Sequence, residues 1–295
     1  MLYGLRDIPA LLRTPTGRGQ LRLAAWLAMW PLLNPLAALY RRLVVGRTRI
    51  VAVVGSFGKT TTTATTSSVL LDQPPWTEDN FLTRLAEAIF RIRPGDRHAV
   101  MEVGIGWPGE MAPYARLIRP DIVVFTSVGT DHLKKFGSLE VIRDEKAQMI
   151  RALGPGGVAV LNGDDSNVLR MRDQTQARIV TYGFDEHNDI RATDVSLADW
   201  PDGTAFTLHA AGATQRVHLQ LIGRAMVYAA LAAAAVALAE GLEPERILQR
   251  LEQIQPISRR MEPVRLASGA IVLRDTRKST RETVCRFYTS DAADE

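Results

Sequence analysis

The sequence predicts an α/β fold: a mainly parallel sheet flanked by helices and carrying a P-loop, with a small antiparallel β-sheet subregion and a short helical N-terminal segment. Three observations lead there. From Ile50 onward, short apolar runs alternate with stretches of helical spacing, the rhythm of βα units that stack parallel strands. The first run feeds a glycine turn followed by lysine and threonine, the strand–turn–helix order of a phosphate loop. After residue 189 the rhythm changes to β-rich runs separated by polar turns, as in antiparallel pairing. A length of 295 residues leaves room for roughly two domains.

In chain order, the first element is Leu21–Tyr40, apolar nearly all the way round but interrupted by Pro31, Asn34 and Pro35. Asn34-Pro35 resembles an N-cap with proline at the first helical position, which predicts two short helices, 20–30 and 35–45. Ile50–Val54 is a buried strand and 60–71 a helix. Leu82, Leu85, Ala86, Ile89 and Phe90 have helical spacing. Ala99–Val103 and Asp121–Thr126 are strands, and Gly137-Ser138 opens a helix to about Leu153. Val158–Leu161 and Arg178–Tyr182 complete the parallel set. Asp189–Leu197, Thr204–His209 and Arg216–Leu221 form the antiparallel part. Arg224–Glu240 is an alanine-rich helix, Pro244–Gln253 another, and Ala270–Leu273 a last strand before Asp275.

Charge is unevenly spread. Residues 1–49 hold eight arginines and one acid, Asp7, for +7; the remainder sums to −3, giving the net +4. A slightly acidic body disfavours nucleic-acid binding. The basic lead stays open to two readings. One is a helical pair packed on the body or on a partner. The other is a peripheral membrane contact through residues 20–45, with Trp26, Trp30 and flanking arginines at the headgroups. No cleavage-site pattern marks a secretory signal. The single cysteine, Cys285, excludes a disulfide framework, so the cytoplasm, with or without the inner face of the membrane, is the expected compartment.

The run Gly55-Ser56-Phe57-Gly58-Lys59-Thr60-Thr61 is the most informative stretch. Its glycines let backbone N–H groups approach phosphate oxygens, and the helix N-terminus that follows favours an anion. Lys59 neutralises terminal phosphates and Thr60 offers a hydroxyl to Mg²⁺. The sequence contains only five lysines, Lys59, Lys134, Lys135, Lys146 and Lys278, so one at this position stands out. A GTPase-type Asn-Lys-x-Asp motif is absent. Downstream come Met101-Glu102-Val103-Gly104, Asp131-His132-Leu133, Phe136-Gly137-Ser138, Lys146, and Leu161-Asn162-Gly163-Asp164-Asp165.

That order resembles the central ATPase domain of the Mur ligase family, over about Arg49 to Asp275. The wording of the loop and the Phe-Gly-Ser turn are most similar to the branch that adds D-alanyl-D-alanine to UDP-MurNAc-tripeptide. The resemblance implies ATP and Mg²⁺ as cofactors, and a UDP-MurNAc-peptide or similar carboxylate plus an amino acid or dipeptide as substrates. It implies that Lys59 and the loop amides hold ATP phosphates, that Thr60, Glu102 and His132 ligate Mg²⁺, and that Lys146 matches a lysine carbamylated in several members. Asn162 then meets adenine, Arg260 the nucleotide phosphates and Asp275 the nucleotide. Asn80 falls in the family's asparagine-rich stretch near substrate. Two departures stand out: Gly223-Arg224-Ala225-Met226-Val227-Tyr228-Ala229 lacks the family's histidine and asparagines, and Arg259 replaces a glycine before Arg260.

Without that order, Glu102 reads as a strand-end acid, His132 as structural, and Lys146 as a solvent-facing helix residue. The resemblance implies a carboxylate–amine ligase working through an acyl phosphate. A polyglutamate or folylpolyglutamate-type ligase, and an inactive nucleotide-binding module, remain as alternatives. Three segments are expected: a helical lead at 1–48, the ATP-binding domain at 49–262, and at 263–295 the stub of a shortened C-terminal ligase domain. The tail from Cys285 shows no helical or strand period and is expected to be non-native.

Overall fold

The computed structural model describes residues 8–71, 82–197 and 201–276. One sheet dominates, with strand order β2-β1-β3-β4-β5-β6-β7-β8. Strands β1 (Arg49–Val54), β2 (His98–Val103), β3 (Ile122–Phe125), β4 (Val158–Asn162) and β5 (Arg178–Gly183) run parallel. Strand β6 (Ile190–Ser196) joins β5 in parallel through Tyr182↔Ile190, then pairs antiparallel with β7 (Thr204–Ala210), which pairs with β8 (Ala213–Leu219). The expected antiparallel subregion is therefore an extension of the main sheet. A separate two-stranded ribbon joins β9 (Glu262–Arg265) to β10 (Ile271–Arg274).

Strand alternation sorts side chains onto two cores. On one face Ile50, Ala52 and Val54 of β1 meet the N-terminal helix α2 (Pro15–Leu43), α4 (Leu82–Arg91), α5 (Met111–Ile118) and α7 (Leu139–Arg151). On the other, Val51 and Val53 meet α3 (Lys59–Leu71), α9 (Arg224–Ala239) and α10 (Pro244–Glu252). Helix α9 buries an unbroken run from Ala229 to Ala237. Its methyls sit in a core shared with α3, whose buried face is Thr61, Thr62, Thr63, Thr65, Thr66 and Ser67. Small residues on both sides let the two backbones approach closely.

The lead differs from expectation. After the short α1 (Ile8–Leu12), α2 is one helix of 29 residues that runs through both Pro31 and Pro35 instead of breaking at Asn34. Its cap is Thr14, whose hydroxyl accepts from the Gly17 amide, with Pro15 at the first helical position. Proline removes one backbone donor from a helix interior. Tertiary packing of the last turns outweighs that loss. Ala37 is buried, the Tyr40 hydroxyl donates to Ile92 O (2.8 Å), and the Tyr40 and Phe90 rings lie 5.7 Å apart. Arg41, 4% exposed, donates to Ile118 O, Val45 O and Arg119 O and pairs with Asp121 at 3.3 Å. Burial lowers its pKa, against the pull of Asp121. The side chains of Trp26 and Trp30, Asn80 and the tail from 277 lie outside the described residues. Among the described residues, no helix is long and apolar enough to cross a membrane.

Candidate functional site

Strand β1, second from the edge of the sheet, has β2 on one side and β3 on the other, so the loops leaving β1 and β3 emerge side by side. In open α/β sheets ligands bind at such a point, beyond the carboxyl ends of the strands. The β1 loop is Gly55–Gly58, and Lys59 opens α3. A Cβ on Gly55 would sit 1.9 Å from Thr126 Oγ1, so only glycine fits between the two loops. Gly58 has φ +79°, which turns the chain into the helix at no steric penalty.

A compact hydrogen-bond set fixes this loop. The Ser56 amide donates to Ser127 O and the Phe57 amide to Ser127 Oγ; the Thr126 hydroxyl donates to Phe57 O at 2.6 Å. Ser56 Oγ accepts from the Gly129 amide (2.9 Å) and donates to Gly129 O (3.2 Å). Lys146 on α7, 3% exposed, donates to the same Ser56 Oγ at 2.7 Å. Lys59, 8% exposed, curls back to Gly55 O at 3.0 Å. Two buried ammonium groups thus lie directly against the loop, an arrangement that favours anions.

Glu102, the penultimate residue of β2, is in register with Val53 of β1 and is buried. It shares the α3-facing side of the sheet with Val100. Thr60 is half-buried in the first turn of α3. His132 caps the short α6 (Leu133–Phe136) with φ +67°, its Nε2 3.5 Å from Asp131 Oδ2. Among the described residues, no three His, Cys, Asp or Glu side chains converge on a metal-sized site.

Beside the loop opens a cavity of about 570 Å³. Phe57, Gly58 and Thr61 line it from the loop and α3, Asn162 and Asp164–Asn167 from the end of β4 and α8, and Arg224, Met226 and Tyr228 from α9, together with Arg260 and Asp275. Asn162 spends its amide on the scaffold: Nδ2 donates to Thr126 O (2.8 Å) and Oδ1 accepts from Asp164 N. Burial raises the Asp275 carboxyl pKa, opposed by the positive charge of Arg260. Arg259 has φ +63°, in the left-handed region where glycine is unstrained, and glycine is the residue that the family resemblance implies there.

The structure therefore gathers Phe57, Gly58, Thr61, Asn162, Arg260 and Asp275 around one cavity, with Ser56, Lys59 and Lys146 linked at the loop. Glu102 and His132 are not among the cavity-lining residues. One cluster escaped sequence reasoning. Asp164 accepts from the Tyr228 hydroxyl (2.8 Å), Asn188 Nδ2 (2.8 Å) and the Phe184 and Asp185 amides. Phe184 meets Tyr228 edge-on at 4.7 Å and carries the Arg224 guanidinium 4.1 Å above its ring. Asp165 ties in the loop after β3 by accepting from the Val128 amide, and caps α8 (Ser166–Leu169). The motif ending in Asp164-Asp165 was legible in the sequence, but not that one carboxylate holds each neighbouring loop.

A family model described as the Mur ligase middle domain matches residues 53–237, which contain the loop, both lysines and the Asp164 cluster. The chain belongs to the Mur ligase family. The UDP-N-acetylmuramoyl-tripeptide–D-alanyl-D-alanine ligase of Mycobacterium tuberculosis is 36% identical over 244 residues, covering 81% of this chain and 48% of the relative. The Bacillus subtilis ligase of that name is 31% identical, over 77% of this chain and 49% of its own. MurF from Acinetobacter baumannii superposes with TM-score 0.79 at 28% identity, covering 86% of this chain and 56% of that one. MurF from Thermotoga maritima, solved in complex with ADP, shares the fold at TM-score 0.74 and 23% identity, over 85% of this chain and 58% of that one. The chain spans about half the length of these Mur ligase relatives.

Proposed function

We propose that this chain carries the nucleotide-handling half of an ATP-dependent ligase that adds D-alanyl-D-alanine to a UDP-MurNAc-tripeptide in cell-wall precursor synthesis. The observation that carries the reading is the pair of buried lysines, Lys59 and Lys146, locked against a glycine loop that borders the 570 Å³ cavity. The 36% identity to a ligase of that name supports the choice of substrate.

In this reaction a substrate carboxylate oxygen attacks the γ-phosphorus of ATP. ADP leaves, and an acyl phosphate remains. The amine of the dipeptide then attacks the acyl carbon, phosphate departs, and a proton is released from nitrogen. Such chemistry needs alignment and charge neutralisation more than covalent help. The loop amides not spent on Ser127, together with Lys59, would hold the β- and γ-phosphates, and Arg260, which also lines the cavity, would reach the phosphates. Lys146 and Ser56 would keep the loop in its binding shape. Asn162 would set the depth at which the base sits.

Mg²⁺ would be held by one or two carboxylates together with phosphate oxygens and water, with Glu102 and the Thr60 hydroxyl as the donors this chain would contribute. His132 and a carbamylated Lys146 would add a second set of donors. When bound, the ion neutralises the phosphate oxygens.

The test is phosphate release by the full chain with ATP and Mg²⁺, with UDP-MurNAc-tripeptide and D-alanyl-D-alanine in one arm and glutamate with folate or polyglutamate acceptors in another. Product in the first arm alone is expected. Product in the glutamate arm would replace the substrate assignment, and nucleotide binding without product in any arm would leave a binding module.

A further inference from the structure

Helix α2 has two faces that do different things. One packs on the body through Ala37, Tyr40 and Arg41. The other carries Met29, Leu32, Leu36, Leu39 and Leu43, spaced 3, 4, 3 and 4 residues apart, which places all five along one line of the helix. Their exposures run from 47% to 69%, high for large apolar side chains. Over fourteen residues the line is about 21 Å long.

Charge decides what covers it. From Ile8 to Thr48 the sequence holds six arginines and no acid. Arg41 is buried in the body with Asp121. Arg13, Arg18, Arg42 and Arg47 are exposed at the two ends of the same lead. A second copy of the chain would bring like charges together along the seam, and Pro31 and Pro35 would disturb the close helix pairing that a coiled coil needs. An apolar line flanked by arginines suits a surface that is apolar within and anionic at its rim. We infer that α2 docks this chain in the interface of an anionic lipid bilayer, lying in the plane of the membrane with the Met29–Leu43 line among the acyl chains and the exposed arginines at the headgroups. None of the residues of this contact lines the cavity beside the phosphate loop.

The experiment is flotation of the full chain with vesicles of phosphatidylcholine, with and without phosphatidylglycerol. The chain is expected to float with the anionic vesicles, to stay down with the zwitterionic ones, and to release as salt is raised. Arg18→Gln with Arg42→Gln should weaken partitioning by about tenfold or more. Leu36→Glu with Leu39→Glu should reduce flotation to background while circular dichroism and melting temperature stay at the wild-type level, because both side chains are solvent-facing. Leu32→Gln, the milder change at the most exposed position, should give an intermediate loss. Failure of the wild-type chain to float with anionic vesicles would overturn the inference. So would undiminished flotation of the double glutamate variant. Sedimentation velocity showing that the line holds two copies together, with vesicles unable to separate them, would replace it with a dimer interface.

Discussion

Lys59 and Lys146 reach the phosphate loop from opposite directions, one from the helix that follows the loop and one from α7. Both are buried against the loop, so each places a positive charge within reach of the phosphates of a bound nucleotide. Lys59→Ala should weaken ATP binding by roughly 10- to 100-fold, the worth of a charge-assisted hydrogen bond; calorimetric titration with an affinity at the wild-type level would remove Lys59 from the phosphate site. A second charge cluster lies at the opposite pole. Glu240, at the end of α9, takes both oxygens to Arg49 Nε and one to His98 Nε2 at 2.7 Å. Burial pushes the Glu240 carboxyl pKa up, but the His98 and Arg49 hydrogen bonds outweigh it and bring it down to about 2. A carboxyl depressed in the folded state stabilises fully above its unfolded value near 4.5, and that contribution fades as pH falls toward 2. Glu240→Gln should therefore cost about 1.5–3 kcal/mol at neutral pH and flatten the loss of stability between those pH values; parallel acid-denaturation curves for the two proteins would contradict it. Lys59 was legible because its spacing from two glycines has a chemical reason. Glu240 was not, because its partners Arg49 and His98 lie 191 and 142 residues away in sequence.

Elements were most legible where local pattern and tertiary role agree. The strands of the parallel set fall where apolar runs predict them, since both faces of that sheet are covered and most side chains between the strand ends are apolar. Helix α7 begins at Ser138, as its sequence suggests, with the hydroxyl accepting from the Val141 amide. Legibility failed at α2 and at the short helices α5, α6 and α8. Helix α5, eight residues with Pro113 near its start, is too short to show a period. Helix α2 reads as two pieces, because proline is a local signal and the anchoring of Tyr40 and Arg41 is a distant one. Pro35 is exposed, so Pro35→Ala should restore an interior hydrogen bond without a clash. We expect that change to stabilise α2 by up to about 3 kcal/mol, read as slower amide exchange between Leu32 and Leu39. Exchange at the wild-type rate would mean that the lead is held by its body contacts alone.

At the scale of the molecule, the sheet separates two poles. The loop, the cavity and the Asp164 cluster stand at the carboxyl ends of the parallel strands, while Arg49, His98, Asp121 and Glu240 knit their opposite ends. The sequence announced the first pole through motifs and left the second silent. It also placed Asn162 in the site without revealing that the side chain spends its amide on Thr126. The match to known ligases stops short of their full length, so the amine-binding half of the proposed reaction must be tested on substrates.

The outer strand β8 has a consequence for how this molecule behaves in a crowd. An uncovered sheet rim is a template on which another chain can crystallise, strand by strand. Here that rim is made unattractive. Thr214, Arg216 and His218 face water, Arg216 folds back to Asp194 O at 2.9 Å, and the His218 amide is turned toward the Glu252 carboxylate. Substituting Arg216→Val and His218→Val would leave the fold's interior untouched and convert the rim into an adhesive edge. Light scattering of concentrated solutions should then rise with time in the variant and stay flat in the parent, making colloidal patience, rather than stability or catalysis, the property that β8 protects.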